Sequence, residues 1–273
     1  MIRARSDWSV WAWRIGILVA FLAGWEYLTG IKAISKTPGL YWIDPFFISR
    51  PSAIAQRFVQ LAGPGVRLSI WRMALSTVQS TLWGFAVGIT TGFLAGLVLG
   101  RSDRAARIFD PFIVAFNSLP RIALVPLITM IFGFGLLAKV VLAWSIVFFI
   151  VFFNTFQGAR SVDADLIHSA RFLGASEHQV MRTVIVPSAL AWTFASLTPS
   201  ISFALIGVVV GEFIGGESGG GLGYLIIQSL GTLNAADMMV ALFVLGAIGI
   251  VMALGIRQIE MCLLRWRPEY QKR

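Results

Sequence analysis

The residues that could perform nucleophilic chemistry are Ser218 and two histidines. Ser218 stands in Gly-Glu-Ser-Gly-Gly, which matches the Gly-x-Ser-x-Gly pattern of a nucleophile elbow. Such an elbow needs a strained strand-to-helix turn and a histidine base close to the serine. A long apolar stretch, 187–211, separates Ser218 from both His168 and His178. We therefore interpret the glycine-rich residues 215–223 as a flexible loop and predict no hydrolase.

Other catalytic and metal-binding patterns are absent from the sequence. No Gly-x-x-x-x-Gly-Lys-Ser/Thr phosphate loop occurs, so the chain is not predicted to hydrolyse ATP by that machinery. Neither histidine has a cysteine or a second histidine at ligand spacing, which argues against a metal site. Cys262 is the single cysteine, so no intramolecular disulfide can form. We predict that this chain binds no cofactor or metal of its own.

The composition is that of a membrane protein. Hydrophobic residues make up 57% of the chain and charged residues only 13%, with a mean hydropathy of +0.80. An average soluble domain carries about 25% charged residues. Several apolar windows reach the roughly 20 residues that cross a bilayer. They cover residues 10–29, 73–99, 111–133, 137–157, 187–211 and 237–259. We predict an all-α polytopic membrane protein with one transmembrane helix for each window.

The first window also needs to be distinguished from a secretory signal. It follows Arg3 and Arg5, as a signal would. However, its apolar run continues to Leu28 without a small-x-small cleavage pattern, so we interpret it as a span.

Basic residues near the ends of spans favour one orientation. With both termini in the cytoplasm, more of the lysines and arginines lie inside than outside, as the positive-inside rule requires. The basic residues predicted on the outer side are Lys32, Lys36, Arg50, Arg57, Arg67, Arg72 and Lys139. The net charge of +9 is thereby explained by topology and contact with membrane lipid, and no nucleic-acid partner is predicted.

This orientation suggests a division of the chain. We predict an N-terminal transmembrane helix in 1–30, an outer segment in 31–72, a core in 73–260 with a cytoplasmic loop at 160–186, and a basic cytoplasmic tail in 261–273. Within the outer segment, Pro51–Ala62 places its apolar side chains on one helical face, which predicts an interfacial amphipathic helix.

Small residues recur at every fourth position of the second span. This spacing puts them on one helical face, where small side chains let two backbones approach closely. The glycines are Gly84, Gly88, Gly92, Gly96 and Gly100. We predict a tightly packed helix interface on this face.

The third span carries prolines and an arginine. Asp110-Pro111 suits a helix start, as does Asp44-Pro45, because a carboxylate caps free N–H groups and proline fits the first turn. Pro120 and Pro126 are then predicted to interrupt the span. Arg121 would lie about 15 Å beyond Pro111, near the middle of the membrane.

A charge at that depth must face a cavity or a partner. We predict that Arg121 lines a solvated path opposite Ser200 or Ser202. Glu212 is about 37 Å along its helix from Pro187 and should lie near the outer surface, which disfavours a direct ion pair with Arg121. The predicted path residues are Asn117, Pro120, Arg121, Pro126, Ser200, Ser202 and Glu212. The alternative is that the third span starts deeper and leaves Arg121 at the interface.

The cytoplasmic loop 160–186, which we call the elbow, has the pattern of two short helices. Leu166, Ala170 and Leu173 share one helical face, and Gly174 permits the left-handed turn that ends a helix. Ser176 and the glutamine three positions later form a capping box for a second helix. The elbow is either a compact knob that fits a groove on a partner or an amphipathic connector on the bilayer, and spacing alone does not separate the two.

Sequence motifs resolve this choice. Ala170-Arg171-x-x-Gly174 followed by Val184-x-Val186-Pro187 resembles the EAA loop of permease subunits in ATP-binding-cassette (ABC) importers. His168 and Ser169 stand where that loop usually has Glu and Ala. The nitrate, sulfonate and taurine branch is also similar at Asp110-Pro111, Leu119-Pro120, Pro126-Leu127, Phe132-Gly133, Gly221-Leu222-Gly223 and Leu264-Arg265-Trp266-x-Pro268-x-Tyr270.

The resemblance implies a type I ABC importer permease in a bacterial inner membrane. It implies a homodimer of this chain, two cytoplasmic ATPase subunits that bind ATP and Mg, and an extracytoplasmic protein that delivers a small, anionic solute. The ATPase would grip His168, Ser169, Ala170, Arg171, Gly174, Ala175, Ser176 and Pro187.

Two rival functions make different predictions. A secondary carrier driven by an ion gradient would be expected to show inverted repeats and paired intramembrane carboxylates. Only Glu26 and Glu212 approach the membrane here. An intramembrane hydrolase would need an activated Ser218.

Overall fold

The computed structural model describes residues 6–31, 43–66, 69–215 and 220–264. Across these ranges the chain forms helices and no strands. We number the helices in chain order: α1 Ser6–Gly30, α2 Pro45–Ile48, α3 Pro51–Ala62, α4 Ile70–Arg101, α5 Asp103–Ser118, α6 Val125–Phe132, α7 Leu136–Arg160, α8 Ala164–Phe172, α9 Glu177–Val180, α10 Val186–Ile214, α11 Leu222–Gly231 and α12 Ala235–Leu263.

The long helices account for the predicted membrane spans. Among the described residues, 5 stretches are long and apolar enough to cross a bilayer: α1, α4, α7, the run from α9 through α10, and α12. Helix α5 and the segment Arg121–Phe132 pass the same test together, although they are bent by 79°. If this bent pair is one span, the total is 6. The predicted all-α polytopic fold is confirmed.

Contacts within the chain define two compact units. One comprises Met1–Trp71 with Leu225–Val244, and the other comprises Arg72–Tyr224 with Leu245–Arg273. In the first unit, the predicted amphipathic helix forms as α3 over Pro51–Ala62, with Ile54 and Leu61 buried.

Polar contacts hold α3 within the first unit. Ser52 donates from its N–H and its hydroxyl to the Glu26 carboxylate, at 2.9 and 2.8 Å. The Arg57 guanidinium forms a two-point ion pair with Asp237, in which Nη2 lies 3.0 Å from Oδ2. The hydrogen bond to Asp237 raises the pKa of Arg57, so the guanidinium stays charged. This ion pair joins α3 to the start of α12.

In the second unit, the glycine face of α4 packs directly against α7. A Cβ added at Gly92 would lie 2.7 Å from the carbonyl oxygen of Phe148, and one at Gly96 would lie 2.7 Å from that of Phe152. Real Cβ atoms do not approach backbone oxygens so closely, so glycine is required. From Gly84 to Gly100 the neighbours advance along α7 in the same direction, and α4 and α7 therefore run parallel.

Helices α7 and α10 form an antiparallel pair in the same unit. Near one end, the Thr155 and Thr193 hydroxyls are 2.7 Å apart. Near the other end, a Cβ at Gly211 would lie 2.8 Å from Cδ1 of Leu142. Between these points lies the buried core, which includes Phe85, Ala143, Val147, Val151, Leu197, Ile201, Ala204 and Val208.

The third span begins earlier than the sequence predicts. Helix α5 starts at Asp103, because Ser102 caps it by accepting a hydrogen bond from the Ala105 N–H at 3.2 Å. Pro111 lies inside the helix, so the predicted start at Asp110-Pro111 is wrong. The other predicted start is confirmed: Asp44 accepts from the Phe46 N–H at 2.9 Å and caps α2.

The span breaks at one of the two predicted prolines. After Ser118 the backbone is extended at Leu119 and Pro120, and a 3₁₀ turn at Arg121–Leu124 follows. Pro126 does not interrupt a helix, because it occupies the first turn of α6, where a missing N–H costs no hydrogen bond. Since α4 and α7 run parallel, the bent segment between them must return the chain across the membrane.

Candidate functional site

The elbow folds as two short helices joined at Gly174. Asp163 caps α8 by accepting from the Asp165 N–H at 3.0 Å. The backbone at Gly174 has φ +88°, the left-handed conformation predicted for it. Ser176 and Gln179 form the predicted capping box, at 2.8 and 3.4 Å. The chain then passes through a π-helical turn, Met181–Ile185, into α10, where Pro187 sits in the first turn.

The elbow is internally braced and presents apolar side chains outward. The Arg171 guanidinium spans the turn and donates to the Glu177 carboxylate at 2.8 and 3.2 Å. Phe172 is 93% exposed and Leu173 is 86% exposed. Leu166, from the predicted apolar face, is also exposed. A large apolar surface on a polar loop is typical of a protein interaction site.

The other predicted coupling residues lie on the same knob. His168, Ser169, Arg171, Gly174 and Ser176 are exposed, whereas Ala170, Ala175 and Pro187 are half-buried.

The helix ends that flank the elbow are joined to each other and to α5. Arg160, the last residue of α7, pairs with Asp103 at 2.7 Å. The Ser188 hydroxyl of α10 donates to the Gly158 carbonyl at 2.9 Å. These contacts join the end of α7 to the start of α5 and to the start of α10, next to the elbow.

Arg121 lies at the bend of the broken span. Its Nη2 donates to Oδ1 of Asn117 at 2.9 Å, and its guanidinium carbon lies 4.6 Å from the centre of the Phe149 ring. Nε of Arg121 is buried and has no hydrogen-bond partner in the described part of the chain. The bend therefore brings Asn117, Pro120 and Arg121 together and leaves the buried Nε–H of the guanidinium without a partner among the described residues.

The remaining predicted path residues are dispersed. Pro126 and Ser202 are exposed. Ser200 is fully buried, and its hydroxyl donates to the Ser196 carbonyl at 2.6 Å within α10. Glu212 is also fully buried. Ser200 and Glu212 are thus inside the protomer in this conformation, and the geometry gives no support for a path at these two positions.

Glu212 pairs with Lys139, a partner that sequence reasoning did not assign. Lys139 was predicted as an outer basic residue, but it lies in the first turn of α7 and is only 4% exposed. Its ammonium group lies 3.3 Å from the Glu212 carboxylate and donates to the Ser76 hydroxyl at 2.9 Å. The sequence signal that could have identified the pair is a lysine at the start of one apolar run and a glutamate at the end of another, which antiparallel helices bring to the same side.

The pair also binds the turn that precedes α11. Lys139 donates to the Gly220 carbonyl at 3.3 Å, and the Gly223 N–H donates to Glu212 at 2.9 Å. Thr77 donates to the same carboxylate at 2.9 Å and accepts the Leu222 N–H at 3.1 Å. Three spans and one turn meet at this polar cluster. Ser218 and residues 265–273 of the predicted basic tail lie outside the described residues, whereas 261–263 continue α12.

The structure is a membrane fold of long helices with an exposed elbow, and comparison with known proteins identifies its family. Residues 88–259 match the model of the binding-protein-dependent transport system inner membrane component, and the chain belongs to this family. It is thus a membrane permease component of an ABC importer in the bacterial inner membrane. ATP hydrolysis is carried out by a separate subunit.

Several known permease proteins align with this chain over most of its length. The taurine transport system permease protein TauC of Escherichia coli is 27% identical, covering 94% of this chain and 90% of TauC. The riboflavin transport system permease protein RibX of Chloroflexus aurantiacus is 32% identical, covering 81% of each chain. Bacillus subtilis SsuC, a permease protein named for aliphatic sulfonates transport, is 29% identical over 99% of this chain and 94% of SsuC.

Solved structures show the same fold. A chain of the inward-facing MetNI methionine ABC transporter aligns with a TM-score of 0.55 at 22% identity, covering 71% of this chain and 93% of that one. A chain of an amino acid ABC transporter with histidines aligns with a TM-score of 0.56 at 17% identity, covering 78% and 97%. The fold is therefore that of a type I ABC importer permease.

Proposed function

We propose that this chain imports a small anionic solute, of the sulfonate, taurine, nitrate or carboxylate class, as a homodimer that works with two ATPase subunits and one extracytoplasmic binding protein. Both termini and the elbow lie in the cytoplasm. The ATPase subunits hold ATP and Mg, and their closure drives both elbows together. The spans then switch between inward-facing and outward-facing states.

The exposed elbow is the observation that carries this proposal. Phe172 and Leu173 project from a knob whose shape is fixed by a capping box and an ion pair. A rigid apolar projection can enter a groove without losing much conformational entropy. A ligand changes a conformational equilibrium only if it binds the two states differently. The ATPase meets this condition when nucleotide alters the distance between its two grooves.

The test of ATP coupling is uptake by purified components in proteoliposomes. We expect accumulation against a gradient only when the permease, the ATPase subunit, the binding protein and ATP are all present. Collapse of the proton gradient at constant ATP should leave uptake unchanged. Sustained uphill uptake by the permease alone, or uptake abolished by a protonophore, would contradict the proposal and favour a secondary carrier.

The anionic character of the solute is argued from Arg121. Its guanidinium lies at the break of a span, over an aromatic ring, with Nε unpartnered among the described residues. A charged group within a membrane span is costly and is usually functional. The taurine and aliphatic sulfonate permeases, to which the chain is similar, are named for solutes that carry a sulfonate.

We expect Arg121→Gln to lower the rate of anion uptake about tenfold or more, because a charge-assisted hydrogen bond contributes about 1.5–3 kcal/mol. Arg121→Lys should retain part of the rate. Arg72→Gln, which removes an exposed arginine at the start of α4, is the matched control and should transport normally. Equal rates for Arg121→Gln and the wild type, with the complex assembled, would remove Arg121 from the path.

A further inference from the structure

The Lys139–Glu212 cluster stands at the far ends of the two helices that hold the elbow. The elbow connects the end of α7 to the start of α10. Lys139 is in the first turn of α7, and Glu212 is in the last turn of α10. The ion pair therefore joins the same two helices at the opposite end of the antiparallel pair.

Burial makes this ion pair unusual. Glu212 has no exposed surface and Lys139 is 4% exposed. Burying an ion pair costs hydration free energy that the attraction between the two charges barely offsets. A protein with a packed apolar pair of similar size in its place is often just as stable. Each oxygen of Glu212 nevertheless has a partner: Thr77 lies 2.9 and 3.0 Å from the two oxygens, and the Gly223 N–H lies 2.9 Å from one of them. Stability alone gives little reason for such a pair.

We propose that the Lys139–Glu212 pair is a mechanical clamp. It makes α7, α10 and the turn Gly220–Gly223 move as one body, so that displacement of the elbow reaches the start of α11. Lys139 and Glu212 are positioning residues and do not contact the solute. This inference rests on the proposed function, because it presumes that an ATPase displaces the elbow.

Contacts along α7 and α10 support the clamp. At the elbow end, the helices are joined by the Thr155–Thr193 hydrogen bond and by Ser188. In the middle they interlock, since a Cβ at Gly207 would lie 2.8 Å from Cδ1 of Ile146. Two helices fixed at both ends and interlocked between them resist sliding, and motion imposed at one end is transmitted to the other.

The glycines of the turn leave space for the carboxylate. A Cβ at Gly221 would overlap the Glu212 carboxylate, and a Cβ at Gly223 would lie 2.6 Å from the Val209 carbonyl oxygen and 2.8 Å from Cβ of Glu212. The turn is thus fitted to the charged group. A side chain at Gly221 would occupy the position of the carboxylate, so the end of the Glu212 side chain is the group expected to shift.

The first test is the double variant Lys139→Met/Glu212→Gln in the complete complex of permease, ATPase and binding protein. It removes both charges together, so no single buried charge remains, and Gln can still bond Thr77. We expect assembled complex near the wild-type amount. The number of solute molecules imported per ATP hydrolysed should fall about fivefold or more, within the range typical of coupling between sites. Ser196→Ala, which removes a buried hydroxyl that donates to the Thr193 carbonyl within α10, should keep the wild-type ratio.

The second test keeps both charges and moves one of them. Gly221→Ala should lower the import-to-ATP ratio in the same way, because its methyl group displaces the carboxylate. Gly231→Ala, at the other end of α11, has open space around its Cβ and should leave the ratio unchanged.

The outcomes separate the clamp from the proposed function. A normal ratio in both test variants overturns the clamp, and so does failure of both variants to assemble, since the pair would then serve folding only. Wild-type complex that imports without ATP overturns the proposed function itself. A reduced ratio in assembled double variant or in assembled Gly221→Ala supports the clamp.

Discussion

Gly174 determines the shape of the elbow, because its φ of +88° lies where side chains are strained. Leu173, the C-cap of α8, precedes it and Ser176, the N-cap of α9, follows two residues later, so Gly174 carries the turn between two capped helices. Arg171 and Glu177 then join across the turn. The exposure of Phe172 and Leu173 follows from this one conformation.

We expect Gly174→Val to weaken binding of the ATPase subunit to the purified permease about tenfold, because a left-handed residue costs roughly 1–2 kcal/mol. Gly174→Asn should bind more tightly than Gly174→Val, since asparagine tolerates this conformation. The measurement is a binding titration in detergent or nanodiscs. Equally weakened affinities for both variants would show that the size of the side chain at position 174, and not the backbone conformation, controls binding of the ATPase subunit.

At the same scale, Arg121 and Lys139 show how charges in spans are used differently. Arg121 has one hydrogen bond to Asn117, an aromatic neighbour and a buried Nε without a partner in the described ranges. Lys139 is bonded to Ser76, Glu212 and Gly220. The Nε–H donor of Arg121 is available for the anion that the proposed function requires, whereas the ammonium group of Lys139 joins helices.

At the scale of the helices, α4 packs so closely against α7 that several positions of α4 require glycine. Glycines at every fourth position of α4 meet Ala143, Val147, Val151, Thr155 and Ala159 of α7. In a membrane, packing of this kind replaces the hydrophobic drive that holds helices together in water. The pair provides a firm base for the bent span between its two members.

We expect Gly92→Val to destabilise the permease by about 1–3 kcal/mol, because added atoms in a packed core force the backbone to shift. Gly246→Val in α12 is the control, since a Cβ there meets nothing within 4 Å. Thermal unfolding of the detergent-solubilised protein measures the difference. A Gly92→Val protein as stable as Gly246→Val would mean that α4 and α7 are not packed as described.

On the scale of the whole molecule, the order of the spans determines which surfaces share a side of the membrane. Helices α4 and α7 run parallel and α10 runs opposite to α7, so the chain crosses back at the bent segment. The excess of basic residues places the elbow side in the cytoplasm under the proposed topology.

The topology can be measured by labelling single cysteines in a Cys262→Ser background. We expect Ser169→Cys, on the exposed surface of α8, to react with a membrane-impermeant maleimide only in inside-out vesicles. Gln56→Cys, on the exposed face of α3, should react only in intact cells or right-side-out vesicles. Labelling of both cysteines from one side would contradict the proposed orientation.

The sequence by itself determined the features that depend on neighbours along the chain. The length of the apolar stretches located the spans, and the glycines at every fourth residue of α4 located its packing face. The capping residues of the elbow specified two short helices around Gly174. These features follow from local backbone geometry and from transfer into lipid, which require no knowledge of distant contacts.

Only the tertiary structure decided the features that depend on distant partners. Ser102 caps α5 well before Pro111, so Pro111 lies inside the helix. Pro126 lies in the first turn of α6, after the span has already been broken at Pro120. Lys139 and Glu212 are 73 residues apart, and nothing in either local sequence states that they meet. A charge buried in a membrane protein is tolerated only where its partners converge, and that convergence is set by the packing of four separate segments.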